Sequence, residues 1–389
     1  MDPKAFTSDR AGRLIAAPTG YHAFVPRPLP PELQWGPQLV GRLSDADRAI
    51  GELRGARSLL KNPMLLARPF LSREAVLSSR IEGTQASLAD LLFFEASSVT
   101  GASPSDVHEV ANYFDALDYA FEPGRQLPVS LRLIRELHRI LMRGVRGAHL
   151  TPGEFRTSQN WIGAPGCTLN EATYVPPPVP QLQEGLHDLE RYLHAADTLP
   201  PLVRLGIVHY QFEALHPFLD GNGRVGRLLI SLLLGEWHVL DTPLLYLSAF
   251  FEQHRQEYYD RLLAVSLRGD WEGWLSYFLE GVRSQALDAS RRAQQLAALR
   301  DELVARVSKT RSSSSLVPLI DALVSNPVTT VPRAAKVTGL SYQGAQHNIN
   351  KLVKLGMLTR TTRKQRPQLY VAREVLVLLD DGIVGHHGG

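Results

Sequence analysis

Residues 216 to 227 read His-Pro-Phe-Leu-Asp-Gly-Asn-Gly-Arg-Val-Gly-Arg. The His216 imidazole titrates near neutrality, which suits it to take a proton from an attacking hydroxyl. Asp220 offers hard carboxylate oxygens of the kind Mg2+ takes when substrate phosphates and waters complete its shell. Gly221 and Gly223 let the backbone turn sharply and bring bare N–H groups against an anion, with Asn222 between them. Arg224 and Arg227 carry planar forks that donate paired hydrogen bonds to phosphate. The unbroken apolar run 228–234 predicts a helix starting near Gly223. The first N–H groups of a helix are unpaired and its dipole is positive there, so an anion is favoured at that point. Arg224 and Arg227, three apart, share a face of that helix. These residue types suit a nucleoside triphosphate. Taken singly, Gly-Asn-Gly is a turn, and His-Pro-Phe is a loop with a buried ring.

The elements that must position these residues read as helices. Apolar spacing predicts them at 45–59, 70–82, 105–121, 129–143, 181–195, 201–215, 223–238, 253–266 and 271–307. The last is expected to be two helices or one kinked helix. Ser44 is a candidate N-cap. Strand signals are few, so the fold class is all-α: a helical bundle carrying a β-hairpin and followed by a small second domain. Residues 1–45, with Pro26, Pro28, Pro30 and Pro31, read as an irregular arm on the core. The divisions expected are an arm and first helix at 1–60, a catalytic domain at 61–310 and a small domain at 316–385.

Composition bounds the rest. The 389 residues are 44% hydrophobic and 21% charged, as in soluble globular chains. Cys167 is the one cysteine, which excludes an intramolecular disulfide and a thiolate metal cage. No apolar stretch approaches the ~20 residues of a membrane span, and no secretory pattern opens the chain. A soluble cytoplasmic protein without a membrane partner is expected. The net charge is +3, but residues 312–389 carry nine Lys/Arg against four Asp/Glu, leaving the remainder at −2.

The string at 216–227 resembles the signature of the Fic family, His-Pro-Phe-x-Asp/Glu-Gly-Asn-Gly-Arg-x-x-Arg, at every specified position. Ser78-Ser79-Arg80-Ile81-Glu82-Gly83 resembles that family's inhibitory motif, Ser/Thr-x-x-x-Glu-Gly/Asn. By itself this segment also reads as a helix end, with Gly83 as cap and Glu82 as a solvated charge. Gly153-Glu154-Phe155-Arg156, Asn160-Trp161-Ile162-Gly163 and Thr173-Tyr174-Val175-Pro176 read as two short pieces around a turn, and resemble the Fic flap. The segment around Tyr258 and Tyr259 resembles the wall of the nucleotide pocket.

The resemblance implies transfer of AMP from ATP to a Tyr, Thr or Ser hydroxyl of a target protein. It implies His216 as base, Asp220 as the Mg2+ ligand, and ATP contacts from Gly221, Asn222, Gly223, Arg224, Val225, Gly226 and Arg227. Tyr258 and Tyr259 would face adenine. Ser78, Glu82 and Gly83 would form the inhibitory motif, with Glu82 pairing with Arg227. Phe218 would anchor the loop, and the flap edge would pair with an extended piece of the target. Removal of AMP at the same site is a further activity within the family. A metal-hydrolase reading of His209, Glu213 and His216 on one helical face lacks an HExxH pattern.

Past Ser312-Ser313-Ser314-Ser315, a flexible linker by composition, the chain resembles a winged helix. Its third helix carries Gln343, Gln346, His347, Asn350 and Lys354, and two strands flank a basic tip at Arg363-Lys364-Gln365-Arg366. Such a unit binds DNA, here through 316–370, or docks proteins. A DNA-binding regulator with a vestigial core is therefore the non-enzymatic alternative, and a homo-oligomer is compatible with either.

Overall fold

The structure is a computed structural model that describes residues 2–17, 20–58, 64–96, 105–122, 127–196, 198–308, 313–361 and 367–380. The basic tip expected at 363–366 lies outside them. The helices are α1 (Pro37–Ser58), α2 (Met64–Ile81), α3 (Leu88–Ala96), α4 (Ser105–Ala120), α5 (Leu131–Leu141), α6 (Val179–His194), α7 (Pro201–Leu215) and α8 (Asn222–Glu236). They continue with α9 (Ser248–Gln253), α10 (Arg255–Arg268), α11 (Trp271–Ser308), α12 (Ser313–Ser325), α13 (Val331–Thr338), α14 (Tyr342–Lys354) and α15 (Arg373–Leu379). The strands are β1 (Gly12–Ala16), β2 (His22–Pro26), β3 (Val328–Thr329), β4 (Thr359–Arg360) and β5 (Tyr370–Val371). The chain is mainly α, as its periodicity predicts. It divides into two compact units. The first holds Met1–Ile50, Asp115–Asp241 and Leu247–Gln285, and the second holds Gly51–Phe114, Thr242–Tyr246 and Ala286–Gly389.

In the first unit the N-terminal arm is ordered, contrary to the irregular segment expected. β1 and β2 pair antiparallel, with Leu14 opposite Phe24. Phe24 is buried, and its N–H donates to the Val175 carbonyl at 2.9 Å. Ala23 packs with Ala172 and Val175, so the hairpin anchors the segment just before α6. The Gln211 side chain of α7 donates to the Arg27 carbonyl at 3.0 Å, fixing the hairpin to the helix that leads into the site.

α7 is buried along most of its length, His209 and Gln211 included. Pro201 opens it, where a missing N–H is harmless. It packs on α11 through the Trp274 indole, which donates to the Gly206 carbonyl at 2.9 Å. It meets α8 at Gly226. A Cβ there would stand 2.2 Å from Glu213 Oε1, so a larger residue would have to displace the Glu213 carboxylate. α5 presents Leu133, Ile134, Leu137, His138 and Leu141 as one buried stripe, and Ser130 caps it by accepting from Leu133 N. α5, α7 and α8 thus enclose the start of α8.

In the second unit α12 packs on α2. The Asn326 side chain donates to Glu95 at 3.0 Å, and Arg300 of α11 pairs with Asp321 of α12 at 2.8 Å. Ser313 to Ser315, expected in a flexible linker, form the first turn of α12, and Ser312 lies outside the described residues. The three short strands form one antiparallel sheet in the order β3-β5-β4. α11 is one helix, so of the two helices or one kinked helix expected it is not a pair. α3, α9 and α15 were not foreseen from periodicity.

Among the described residues no helix is long and apolar enough to cross a membrane.

Candidate active site

α7 ends at Leu215, and His216 follows in the left-handed region at φ 47°, ψ 60°, turning the chain out of the helix. Pro217 prevents the helix from resuming. Phe218 is fully buried, its ring stacked on His138 at 3.8 Å and close to Phe155 at 5.2 Å. Gly221 takes φ 77°, and a Cβ there would crowd Met142 Sδ at 3.0 Å. α8 then begins at Asn222.

The loop is held from within and from outside. Phe218 N donates to Asn222 Oδ1, and Asn222 Nδ2 donates to the Phe218 carbonyl, both at 2.8 Å. The Asn222 carboxamide, expected to face phosphate, is thus engaged inside the loop and shapes it. Arg156 Nε donates to the His216 carbonyl at 3.0 Å, and its other nitrogens donate to the Ser158 and Pro177 carbonyls. Arg156 N donates to the Pro217 carbonyl at 2.9 Å. Asn160 Nδ2 donates to the Phe218 carbonyl at 2.8 Å. Burial pushes the Arg156 guanidinium down to about 10, so it stays charged at neutral pH.

His138 meets the loop from α5. Gly153 N donates to its Nδ1 at 2.8 Å, and its Nε2 lies 3.0 Å from the Asp220 carbonyl. A backbone N–H can only donate and a carbonyl can only accept, so Nδ1 carries the lone pair and Nε2 the proton. Burial pushes this imidazole down to about 4, which keeps it neutral.

The expected ligand groups lie around the start of α8. The Asp220 side chain is 34% exposed; its Oδ1 accepts from Gly221 N at 2.6 Å and lies 3.8 Å from Arg224 Nη2. Arg224 and Arg227 are both buried, and Arg224 also approaches Met142 Sδ at 3.6 Å. Val225 is buried among apolar groups. Gly226 serves the α7–α8 crossing, and its carbonyl lies 3.2 Å from His209 Nδ1.

Tyr258 and Tyr259 part company. Tyr258 is 1% exposed, and its hydroxyl bonds His209 Nε2 at 2.8 Å. It is a core residue whose hydroxyl orients a buried imidazole, not an open nucleotide contact. Tyr259 is 39% exposed beside Arg255. His209 has both nitrogens engaged, and burial pushes it down to about 3, so it is no metal ligand. Among the described residues no group of three or more His, Cys, Asp and Glu could hold a metal by itself.

The flap region forms an irregular hairpin with one antiparallel bridge, Ile162 with Tyr174. Trp161 and Ile162 are exposed on it. In the second unit Ser78 is buried in the last turn of α2. Glu82 is half-buried just past that helix, and Gly83 follows at φ 99°, as a helix-ending glycine does.

The sequence places Arg156 and Asn160 in the flap without a role in holding the loop, and it does not single out His138. The available signal was a histidine on the apolar stripe of α5, which more often marks a satisfied core residue.

A cavity of about 780 Å³ elsewhere in the first unit is lined by Gln38, Arg42, Phe250, Tyr277 and Glu280. Arg42 and Glu280 pair with each other, so the cavity adds no chemistry to the site.

Residues 40–122 match the family model described as Fic/DOC family N-terminal, and residues 128–234 match Fic/DOC family. The chain is 33% identical over 115 residues to the protein adenylyltransferase Fic of Drosophila erecta, covering 28% of this chain and 20% of that protein. It is 31% identical over 199 residues to the Aedes aegypti protein of the same name, covering 49% and 36%. The chain thus spans about a fifth to a third of the curated relatives it matches. Its fold is similar to a Fic family protein from Desulfovibrio desulfuricans G20, with a TM-score of 0.55, 22% identity, and 88% and 98% of the two chains covered. It is also similar to Fic-1, residues 134–508, of C. elegans, with a TM-score of 0.52, 24% identity, and 68% and 75% covered.

Proposed function

We propose that this chain, which carries segments matching the Fic/DOC models, transfers AMP from ATP to a Tyr, Thr or Ser hydroxyl of a target protein. The observation that carries the reading is the loop of 216–221. Its carbonyls at 216, 217, 218 and 220 are bound by Arg156, Asn160, Asn222 and His138, while the first turn of α8 follows with Arg224 and Arg227. With those carbonyls bound, the start of α8, where a helix favours an anion, is the electropositive end of the loop.

In the reaction the acceptor oxygen bonds to the α-phosphorus as its proton passes to His216. The bond between the α-phosphorus and the oxygen that bridges it to the β-phosphorus breaks, and pyrophosphate leaves with that oxygen and the electron pair. Asn222 and Gly223 amides take the charge growing on the α-phosphate, and Arg224 and Arg227 hold the outer phosphates. Asp220 fits a Mg2+ ligand: it is one partly exposed carboxylate, and an ion that takes most of its shell from phosphates and water needs no more. Bound there, Mg2+ would neutralise phosphate charge. The motif at Ser78, Glu82 and Gly83 supports a brake in which Glu82 holds Arg227 in place of the terminal phosphate. Incubation with ATP and Mg2+ should add the mass of AMP to the chain or to an acceptor protein. Retention of the unmodified mass across candidate acceptors would reject transfer.

For 316–385 the order α12-β3-α13-α14 followed by β4 and β5 supports a winged helix. Gln343, His347, Asn350 and Lys354 are exposed on α14 and suit a DNA groove. Duplex affinity should fall as salt rises and should be weakened by Lys354→Ala. Affinity that ignores salt would favour a protein partner.

A further inference from the structure

We infer that His138 is a positioning residue of the anion cradle: it fixes the Asp220 peptide, and so the aim of the Asp220 carboxylate and the Gly221–Gly223 amides, while tying that peptide to the base of the flap. The inference rests on the AMP-transfer reading for its kinetic consequence. Its structural part stands on geometry alone.

The ring makes three contacts. Nδ1 accepts from Gly153 N at 2.8 Å, Nε2 donates to the Asp220 carbonyl at 3.0 Å, and the ring face covers Phe218 at 3.8 Å with an interplanar angle of 6°. His138 is 1% exposed, so no water substitutes for either bond without repacking. The Asp220 carbonyl belongs to the peptide that ends in Gly221 N, and that N–H donates back to Asp220 Oδ1 at 2.6 Å. Holding the carbonyl therefore holds the peptide plane, and the plane holds the carboxylate. Gly153 lies three residues before Arg156, which grips the His216 carbonyl. The same flap base thus reaches both ends of the loop, one end through Arg156 and the other through His138. A cradle misplaced by even an ångström loses much of its catalytic advantage.

The test separates the three contacts. His138→Gln places an amide NH2 near the position of Nε2 and keeps the donor to Asp220. His138→Asn places an oxygen near Nδ1 and keeps the acceptor for Gly153. His138→Phe keeps only the stack. Each is measured for kcat and KM for ATP, for affinity toward α,β-methylene-ATP with Mg2+ by calorimetry, and for hydrogen exchange over 150–155 and 219–224. Thermal unfolding reports folding.

His138→Asn and His138→Phe, still folded, should lose tenfold or more in kcat, bind the analogue more weakly and exchange faster over 219–224. His138→Gln should recover most of kcat while exchanging faster over 150–155. If all three variants lose activity only in proportion to stability, or His138→Phe keeps wild-type kcat and analogue affinity, the positioning role is wrong. Should wild type transfer no AMP, the reaction reading fails, while exchange and analogue binding still decide what His138 does.

Discussion

His216→Ala should lose AMP incorporation by about 10²–10⁴-fold or more while ATP affinity stays within about twofold. The imidazole acts on the acceptor hydroxyl, and none of the groups assigned to the triphosphate depends on it. His216 leaves α7 in a left-handed turn, and its carbonyl is held by Arg156 at 3.0 Å, so alanine inherits a supported backbone. Labelled AMP incorporation is read beside ATP titration by calorimetry. Retained incorporation would remove His216 from the mechanism. Lost ATP binding would show that the side chain shapes the cradle and is not simply the base.

Glu82→Gly should raise the initial rate of AMP incorporation about tenfold or more. A charge-assisted hydrogen bond contributes roughly 1.5–3 kcal/mol. If Glu82 holds the Arg227 guanidinium, its removal makes that interaction available to the terminal phosphate, and about 1.4 kcal/mol is tenfold in rate. Arg227→Ala should be inactive with or without Glu82, because the group to be released is then absent. The four rates of wild type, the two single variants and the double variant are compared at saturating ATP. If Glu82→Gly matches wild type and both are folded and ATP-bound, Glu82 is simply a charge at the end of α2. That plainer role has support of its own, since Gly83 at φ 99° ends the helix as a cap does.

The groups assigned to substrate in this reading were legible because they lie in one twelve-residue string whose resemblance to the Fic signature, more than spacing alone, implies their roles. The bounds of α7 were read correctly at both ends, since a proline opens it and a histidine-proline pair closes it. What stayed hidden depends on partners distant in sequence. His138 is 82 residues from Asp220 and Arg156 is 60 from His216, so nothing local marks them as supports of the loop. Tyr258 misled for a related reason: an aromatic near a motif reads as a contact until its hydroxyl is found on buried His209. The β1–β2 hairpin was missed because five-residue strands give little periodicity and the prolines beyond them dominated the composition. The flap, read as an irregular hairpin, pairs antiparallel at Ile162 and Tyr174.

The left-handed backbone at His216 has an evolutionary consequence. A side chain with a Cβ at φ 47° sits there at a cost of roughly 1 kcal/mol or more, which glycine avoids and asparagine reduces. Folding alone therefore favours exchanging this histidine, and random substitution without selection on the chemistry would drift toward glycine or asparagine. Where the reaction is not selected for, glycine or asparagine at this turn relieves that cost. A histidine still standing at that turn is held there against the preference of its own backbone.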